Sequence, residues 1–216
     1  KLTKNKLTHV AFILDGNKRW AKENNHSNTE GYKAGFEKIK EIINYSIDLN
    51  LKNLTLFTLS SENIKRSSIN IIYEIIYNNF SFLIDELVEN KNININIFGS
   101  ENNLPNKIKD LLEKAQSITH KNPNLNLNLA FNYGFKEEIK DVLLKYKKSN
   151  FNIDLDKEKN IRNLFNLNFS NDPDILIRTG GYKRLSNFIM YNLTYTELFF
   201  TETLWPDFSI PEYDKI

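Results

Sequence analysis

The chain has 216 residues, 40% of them apolar and 26% charged, with a net charge of +2; that balance describes one ordinary globular domain, residues 1–216, with a real core. So small a charge argues against nucleic acid as a partner held mainly by charge, although it allows a local basic pocket. Without cysteine there are no disulfides, thiolate metal sites or thiol nucleophiles, and no apolar run approaches the roughly 18 residues that a membrane span needs. The sequence begins at Lys1 without a methionine and is expected to be trimmed, so an upstream targeting segment would not show. The cysteine-free composition fits a reducing compartment, and cytoplasmic, ER-associated and organellar locations all stay open. The abundance of Asn, Lys and Ile reads as nucleotide bias in the genome.

In chain order, Val10–Leu14 is a short buried strand, and Lys33–Ile47 places Phe36, Ile39, Ile42, Ile43 and Ile47 at helical spacing. Leu54–Leu59 is strand-like, and Ile69–Val88 reads as a long helix, apolar over far more of its circumference than a surface helix requires. Such a helix is either a central core element or dimer face, or the wall of an elongated apolar pocket. "NININIF", Asn92–Phe98, alternates as a strand covered on one face should, and a helix then opens with Pro105 in its first turn. Leu125–Gly134 alternates and stops at a turn glycine; a charged amphipathic helix follows at Glu137–Lys147, then a polar connection with a short helix around Ile161–Leu167. Ile175–Ile177 is a last short buried run before "LSNFIMYNLTYTELFF". Strand and helix in this rhythm predict a single α/β domain with a mostly parallel central sheet flanked by helices. In such sheets ligands bind at the carboxyl ends of the strands, so chemistry-bearing residues should follow the strand-like runs.

Three strand ends meet that expectation. The first is Asp15-Gly16-Asn17-Lys18-Arg19, followed by Trp20. Gly16 allows close backbone approach, helix-opening amides attract anions, and Arg19 can grip phosphate oxygens bidentately. Asp15 would repel an anion unless a hard cation such as Mg²⁺ lay between them; alternatively, Asp15 is only a helix N-cap before a solvated basic turn. The second strand end carries Ser60, Ser61, Glu62, Asn63 and Arg66, polar groups that can cap a helix or hold a diphosphate. The third, "DILIRTGGYKRLSN", sets Arg178 at the end of a buried run, then Gly180-Gly181, Lys183, Arg184, Leu185 and Ser186. Two cationic strand ends in one small domain imply two diphosphates or one long polyphosphate.

The segments "HVAFILDGNKRWAK", "EGYKAG", "LTLFTLSSENIKR", "LNLAFNYG", "DPDILIRTGG", "RLSNF" and "YTELFFTETLWPDF" together resemble the cis-prenyltransferase family, which includes undecaprenyl and dehydrodolichyl diphosphate synthases. They stand in family order from His9 to Phe208, and no DDxxD pair of the trans-type synthases is present. The resemblance implies a hydrophobic tunnel. It also implies elongation of an allylic diphosphate, such as farnesyl diphosphate, by isopentenyl diphosphate with new cis double bonds, giving a long-chain polyprenyl diphosphate of the kind used for dolichol- or undecaprenol-type carriers. Carried over by position, Asp15 handles Mg²⁺ and diphosphate, and Gly16, Asn17, Lys18 and Arg19 cradle the allylic diphosphate with Trp20 beside them. Asn63 matches the family's proposed proton acceptor; a neutral amide is a poor base, so its role would be positioning, with a diphosphate oxygen as the final acceptor. Ser60, Ser61, Glu62 and Arg66 match neighbouring substrate contacts. Arg178, Arg184, Leu185 and Ser186 match the isopentenyl diphosphate site, and Glu197 the second acidic metal contact.

The sequence also departs from the family. Asn28 stands where Arg is common, Tyr32 where His is, and Ile64 where an aromatic is usual. "NYGGR" becomes "NYGFK" at Phe135 and Lys136, and Tyr182 takes an acidic position in the glycine turn. Members act as dimers, so the resemblance implies a homodimer or a heterodimer, with peripheral membrane association for release of an apolar product. A non-catalytic partner subunit is the alternative, but such chains typically lose the aspartate motif that is retained here.

Overall fold

The computed structural model describes residues 7–64, 69–83, 92–117 and 120–216. The chain runs β1 (His9–Ile13), α1 (Asn17–Glu23), α2 (Asn28–Asp48), β2 (Asn53–Ser60), α3 (Ser61–Ile64), α4 (Ile69–Leu83), β3 (Ile93–Gly99), α5 (Asn106–Ser117), β4 (Leu125–Tyr133), α6 (Phe135–Lys148), α7 (Glu158–Arg162), β5 (Ile175–Arg178), β6 (Glu197–Phe200) and α8 (Ile210–Lys215). The six strands form one sheet in the order β3-β4-β2-β1-β5-β6, and every pairing is parallel. The chain therefore leaves β1 to build β2, β4 and β3 on one side, then returns to build β5 and β6 on the other. β1 is the point where the winding reverses, and the crevice at its carboxyl end is where such sheets bind ligands.

Covering both faces of the sheet explains the sequence pattern. All five residues of β1 are buried, which is why "HVAFI" does not alternate. Val10 and Phe12 join one core with Ile42, Ile43, Leu56, Ile76 and Trp205, while Ala11 and Ile13 join the other with Phe57, Tyr133 and Phe188. β3 lies at the sheet edge and does alternate, burying Ile93 and Ile95 but not Asn94 and Asn96.

Most elements fall where the periodicity puts them. α2 starts five residues before Lys33 because Ser27 and Glu30 form a capping box, with the Glu30 amide donating to Ser27 Oγ (3.2 Å) and the Ser27 amide to Glu30 Oε2 (2.7 Å). Pro105 sits just ahead of α5, its carbonyl accepting from Ile108 and Lys109. Residues 84–88, the end of the expected long helix, lie outside the described residues. The short helix expected around Ile161–Leu167 is displaced to Glu158–Arg162. Beyond it the backbone is held by side chains of α6: Glu138 Oε1 accepts from the Asn166 amide (2.6 Å), and Lys145 Nζ donates to the Leu164 carbonyl (2.8 Å). Those tertiary bonds satisfy polar groups that a helix would have paired internally, and Leu164, Phe165 and Leu167 are buried all the same.

A polar ladder crosses the buried sheet. His9 Nδ1 donates to the Asn171 carbonyl (2.7 Å), and Nε2 meets Thr55 Oγ1 (2.6 Å). Thr55 Oγ1 also accepts from Asn128 Nδ2 (3.1 Å), and Asn128 Oδ1 accepts from Asn96 Nδ2 (3.0 Å). Two of the asparagines that composition ascribes to genomic bias are thus placed where their amides are used. With Nδ1 donating, a neutral imidazole leaves Nε2 free to accept from the threonine hydroxyl. Burial pushes the His9 pKa down from 6.5 to about 4, against smaller upward contributions from the Asn171 carbonyl, Asp174 and Asp172. Because the folded pKa lies below the unfolded one, His9 contributes fully above pH 6.5, and its contribution is lost as pH falls from there to about 4. Urea titrations should show a His9-dependent loss approaching about 3 kcal/mol over that window. His9→Gln should be less stable at pH 7, but its stability should fall less steeply between pH 6.5 and 4.

Candidate active site

Three strand ends converge at the winding reversal. β1 delivers Asp15 and Gly16, β2 delivers Ser60 and the short α3, and β5 delivers Arg178 and the Gly180-Gly181 turn. The backbone of Asp15 is fixed from two sides. Its amide donates to Thr179 Oγ1 (3.1 Å), and its carbonyl accepts from Thr179 Oγ1 (2.8 Å) and from the Trp205 amide (3.0 Å). Its carboxylate is held between two arginines: Arg19 Nη2 lies 3.2 Å from Oδ1 and Arg178 Nη2 2.8 Å from Oδ2. Asp15 is therefore an organiser of cations in this structure, and not a helix cap, since Gly16 is the residue before α1 and no side chain caps it.

Arg178 is the deepest of these groups, with 3% of its side chain exposed. Besides Asp15 it donates to Ser186 Oγ (2.5 Å) and to the Arg184 carbonyl. Removing one member of a buried charge pair leaves the other unpaired, so Asp15 and Arg178 need each other structurally as well as chemically. Arg178 Nε and Asn17 Oδ1 are buried without a hydrogen-bond partner, an uncommon state for polar atoms in a folded protein. Both belong to residues lining the cleft.

The cleft encloses about 420 Å³ and is lined by Asp15, Gly16, Asn17, Lys18, Arg19, Tyr32, Ser60, Glu62, Asn63, Arg178, Tyr182, Arg184 and Ser186, with Ile13, Leu14, Phe57 and Thr58 at its base. Behind it lies an apolar cavity of about 80 Å³ walled by Phe36, Ile39, Leu59, Ile72, Ile75, Ile76, Phe80, Leu127, Leu129 and Phe131. The α4 residues on that wall are those whose excess apolarity suggested a pocket.

Most of the expected site residues among the described ones are brought together, but six are not. Trp20 turns from the cleft: its Nε1 donates to Asp207 Oδ1 (2.7 Å) and its ring stacks on His26 at 5.4 Å. Asn28 is exposed in the first turn of α2, Ile64 packs against the larger core and Leu185 against the smaller one. Ser61 Oγ faces the Gly134 backbone, within 2.5 Å of where a Cβ there would lie. Arg66 lies outside the described residues. Glu197 opens β6 beside Ile175, while it is Phe200 that pairs with Arg178. Three residues of extended chain, about 10 Å, separate Glu197 from the end of the sheet that holds Asp15. The acid that reaches the glycine turn is Glu202, two residues beyond β6, whose Oε2 lies 2.5 Å from the position of a Cβ on Gly181.

Residues 13–216 match the family model described as "Putative undecaprenyl diphosphate synthase". The chain belongs to the cis-prenyltransferase family. It is 38% identical to the isoprenyl transferase of Aquifex pyrophilus over 213 residues, covering 96% of this chain and 89% of that one. It is 39% identical over 210 residues to the ditrans,polycis-undecaprenyl-diphosphate synthase ((2E,6E)-farnesyl-diphosphate specific) of Wigglesworthia glossinidia brevipalpis, covering 94% and 80%. Among solved structures it superposes on lavandulyl diphosphate synthase from Lavandula x intermedia, in complex with dimethylallyl diphosphate, with a TM-score of 0.91 at 30% identity, covering 97% of this chain and 93% of that one.

Several residues that shape this cleft carry no charge and are easily passed over in the sequence. Gly31 and Gly35 let α1 lie directly on α2. A Cβ at Gly31 would fall 2.4 Å from the Asn17 carbonyl and 2.8 Å from Ala21 Cβ. At Gly35 it would fall 2.1 Å from Asn17 Oδ1 and 3.0 Å from Trp205 Cδ1, beside the bond from Trp205 Nε1 to the Gly35 carbonyl (2.8 Å). The two substitutions should therefore fail differently. Gly31→Ala meets backbone and should lower stability by about 1–3 kcal/mol, read as a drop in melting temperature. Gly35→Ala meets the end of a side chain that can yield, so activity should fall more than stability as the Asn17 amide is pushed from the cleft.

Proposed function

We propose that this chain condenses isopentenyl diphosphate onto an allylic diphosphate, farnesyl diphosphate or a longer one, to build a cis-polyprenyl diphosphate. The observation that carries this reading is the wall shared by the two spaces: Leu14, Asn17, Tyr32, Thr58 and Asn63 line both the cationic cleft and the apolar cavity. Arginines at one end and aliphatic and aromatic side chains behind them suit a molecule with a diphosphate head and an isoprenoid tail. The relatives' names, which include farnesyl-specific undecaprenyl diphosphate synthesis, support the same reading. Retention of Asp15 with both of its arginines speaks against a non-catalytic partner subunit.

In the reaction the allylic C–O bond breaks with its electron pair remaining on the diphosphate. The double bond of isopentenyl diphosphate forms the new C–C bond, and a proton leaves the adjacent carbon to give the new double bond. Negative charge grows on the departing diphosphate, where Arg19 and Arg178 are already oriented by Asp15; donors fixed in advance stabilise such charge without reorganising. Arg178, Arg184 and Ser186 suit the second diphosphate. Asn63, at the boundary between head and tail, is fixed through its backbone N–H, which donates to Ser60 Oγ (3.2 Å). Its neutral side chain would orient the reacting carbons, with a diphosphate oxygen taking the proton. Phe36 and Phe80, packed edge to face at 6.4 Å, line the cavity together with Phe131 and form the aromatic part of the wall that an isoprenoid tail would meet.

Asp15 suits a bound Mg²⁺, because such sites commonly combine one or two carboxylates with substrate phosphate oxygens and water. No cluster of three His, Cys, Asp or Glu side chains occurs among the described residues, so substrate and water would supply the other ligands. The ion would contribute charge neutralisation at the leaving diphosphate. For assembly we favour a homodimer through the exposed edge strand β6 and the turn before it, where Met190, Tyr195 and Leu198 are exposed; unpaired edges of this kind invite pairing.

Purified protein given labelled isopentenyl diphosphate, farnesyl diphosphate and Mg²⁺ should yield a labelled apolar product whose length chromatography reports. Absence of elongation from every allylic primer, with the chain alone or with a second subunit, would overturn the reading. Chelation should stop turnover and Mg²⁺ restore it. Asp15→Asn should lower kcat by at least about a hundredfold and, by leaving Arg178 underpaired, reduce stability by roughly 1–3 kcal/mol.

A further inference from the structure

Tyr182 sits in the cleft at the point where three cations meet. Its ring centre is 5.0 Å from the guanidinium carbon of Arg19, 4.4 Å from that of Arg184 and 5.7 Å from that of Arg178. All three fall within the roughly 6 Å over which a ring face attracts a cation. The position is dictated by the turn before it: Gly180 (φ 84°) and Gly181 (φ 80°) both adopt the left-handed conformation, and a Cβ at Gly180 would lie 2.5 Å from Arg19 Nη2. The residue is 46% exposed, so the core does not require its side chain.

We propose that Tyr182 is a positioning residue that gathers Arg19, Arg178 and Arg184 without consuming them, and so sets the affinity of the cleft for diphosphate. The alternative way to gather arginines is a carboxylate, as Asp15 does for two of them. A carboxylate takes up N–H donors and cancels a charge, and both losses fall on the phosphate that must bind next. A ring face attracts the guanidinium while leaving its in-plane donors free. Tyr182 thus opposes the mutual repulsion of three close cations and leaves their charge available to a ligand carrying several phosphate oxygens. A monophosphate, with fewer oxygens to span the three arginines, gains less.

The assignment of the cleft to diphosphates rests on the function proposed above, so its test uses a ligand that requires no turnover. Binding of inorganic diphosphate and inorganic phosphate is measured by calorimetry on the folded protein and on Tyr182→Phe, Tyr182→Leu and Tyr182→Glu, with melting temperature followed in each. Replacing the ring by leucine should weaken diphosphate binding roughly tenfold and phosphate binding less, with an unchanged melting temperature. Phenylalanine should restore diphosphate affinity to within about twofold of the parent, since the ring and not the hydroxyl faces the cations. Glutamate should bind diphosphate more weakly than leucine, and the deficit should shrink as salt is raised. Parent-like affinity in Tyr182→Leu, or a phenylalanine variant as weak as leucine, would overturn the proposal. Equal losses for phosphate and diphosphate, or a lowered melting temperature in Tyr182→Leu, would assign the ring a merely structural role and overturn it as well. If no variant or parent elongates isoprenoids but the diphosphate affinities follow this order, Tyr182 keeps its role and the proposed function is the part that fails.

Discussion

The contact between Asp15 and Arg178 governs the site. It joins the carboxyl ends of β1 and β5, neighbours in the sheet but 163 residues apart in the chain, across the place where the winding reverses. The buried guanidinium of Arg178 would be costly to leave unpaired, and Asp15 is the carboxylate the fold presents to it. Once that pair is set, the second Asp15 oxygen takes Arg19, Ser186 takes the other arm of Arg178, and the Arg184 backbone is drawn into the same knot. The cleft is cationic because its one deep carboxylate is shared between two arginines, which leaves positive charge facing solvent.

This arrangement combines two demands that pull in opposite directions. A diphosphate site needs cations and free donors, and an isoprenoid site needs apolar walls; placing them together would bury charge in hydrocarbon. The fold separates them by using the sheet end for one and the space between α2, α4 and the sheet for the other. Contact is limited to a rim of neutral residues, among them Asn17, Thr58 and Asn63. Asn17 is held there by the close crossing of α1 and α2, which glycine at two positions permits. The small residues of "EGYKAG" thus act on the chemistry through packing alone.

The fold was largely legible in the sequence. A parallel sheet buried on both faces requires short, continuous apolar runs separated by amphipathic helices, and "HVAFI", "LTLFTL" and "ILIR" announce themselves in that way. Two features were not legible. The helix before β5 lies ahead of the stretch that periodicity marks, because Glu138 and Lys145, about twenty or more residues away, satisfy the backbone of Leu164–Asn166 that a helix would otherwise close. β6 and α8 leave no periodic signal because "TELFF" and "IPEYDK" are too short and mixed to carry one; pairing with β5 creates the one, and packing against Phe12 and Tyr45 supports the other.

The residue types and their order determined which chemistry was available: a carboxylate and two cations after the first strand, hydroxyls and an amide after the second, and arginines around a glycine turn after the last. They determined too that these lie at strand ends, because an apolar run must stop where polar residues begin. Only the tertiary structure decided which of them meet. Trp20 and Ser61 stand beside true cleft residues in the chain, yet both turn elsewhere, and Asn28 and Glu197 lie on elements whose geometry keeps them from the cleft. Tyr182, Thr179 and Gly35 carry no signal of charge, yet they fix the arginines, the Asp15 backbone and the Asn17 amide. Adjacency in sequence specifies an element, whereas a site is built where several elements end together, and that convergence is a property of the sheet's winding.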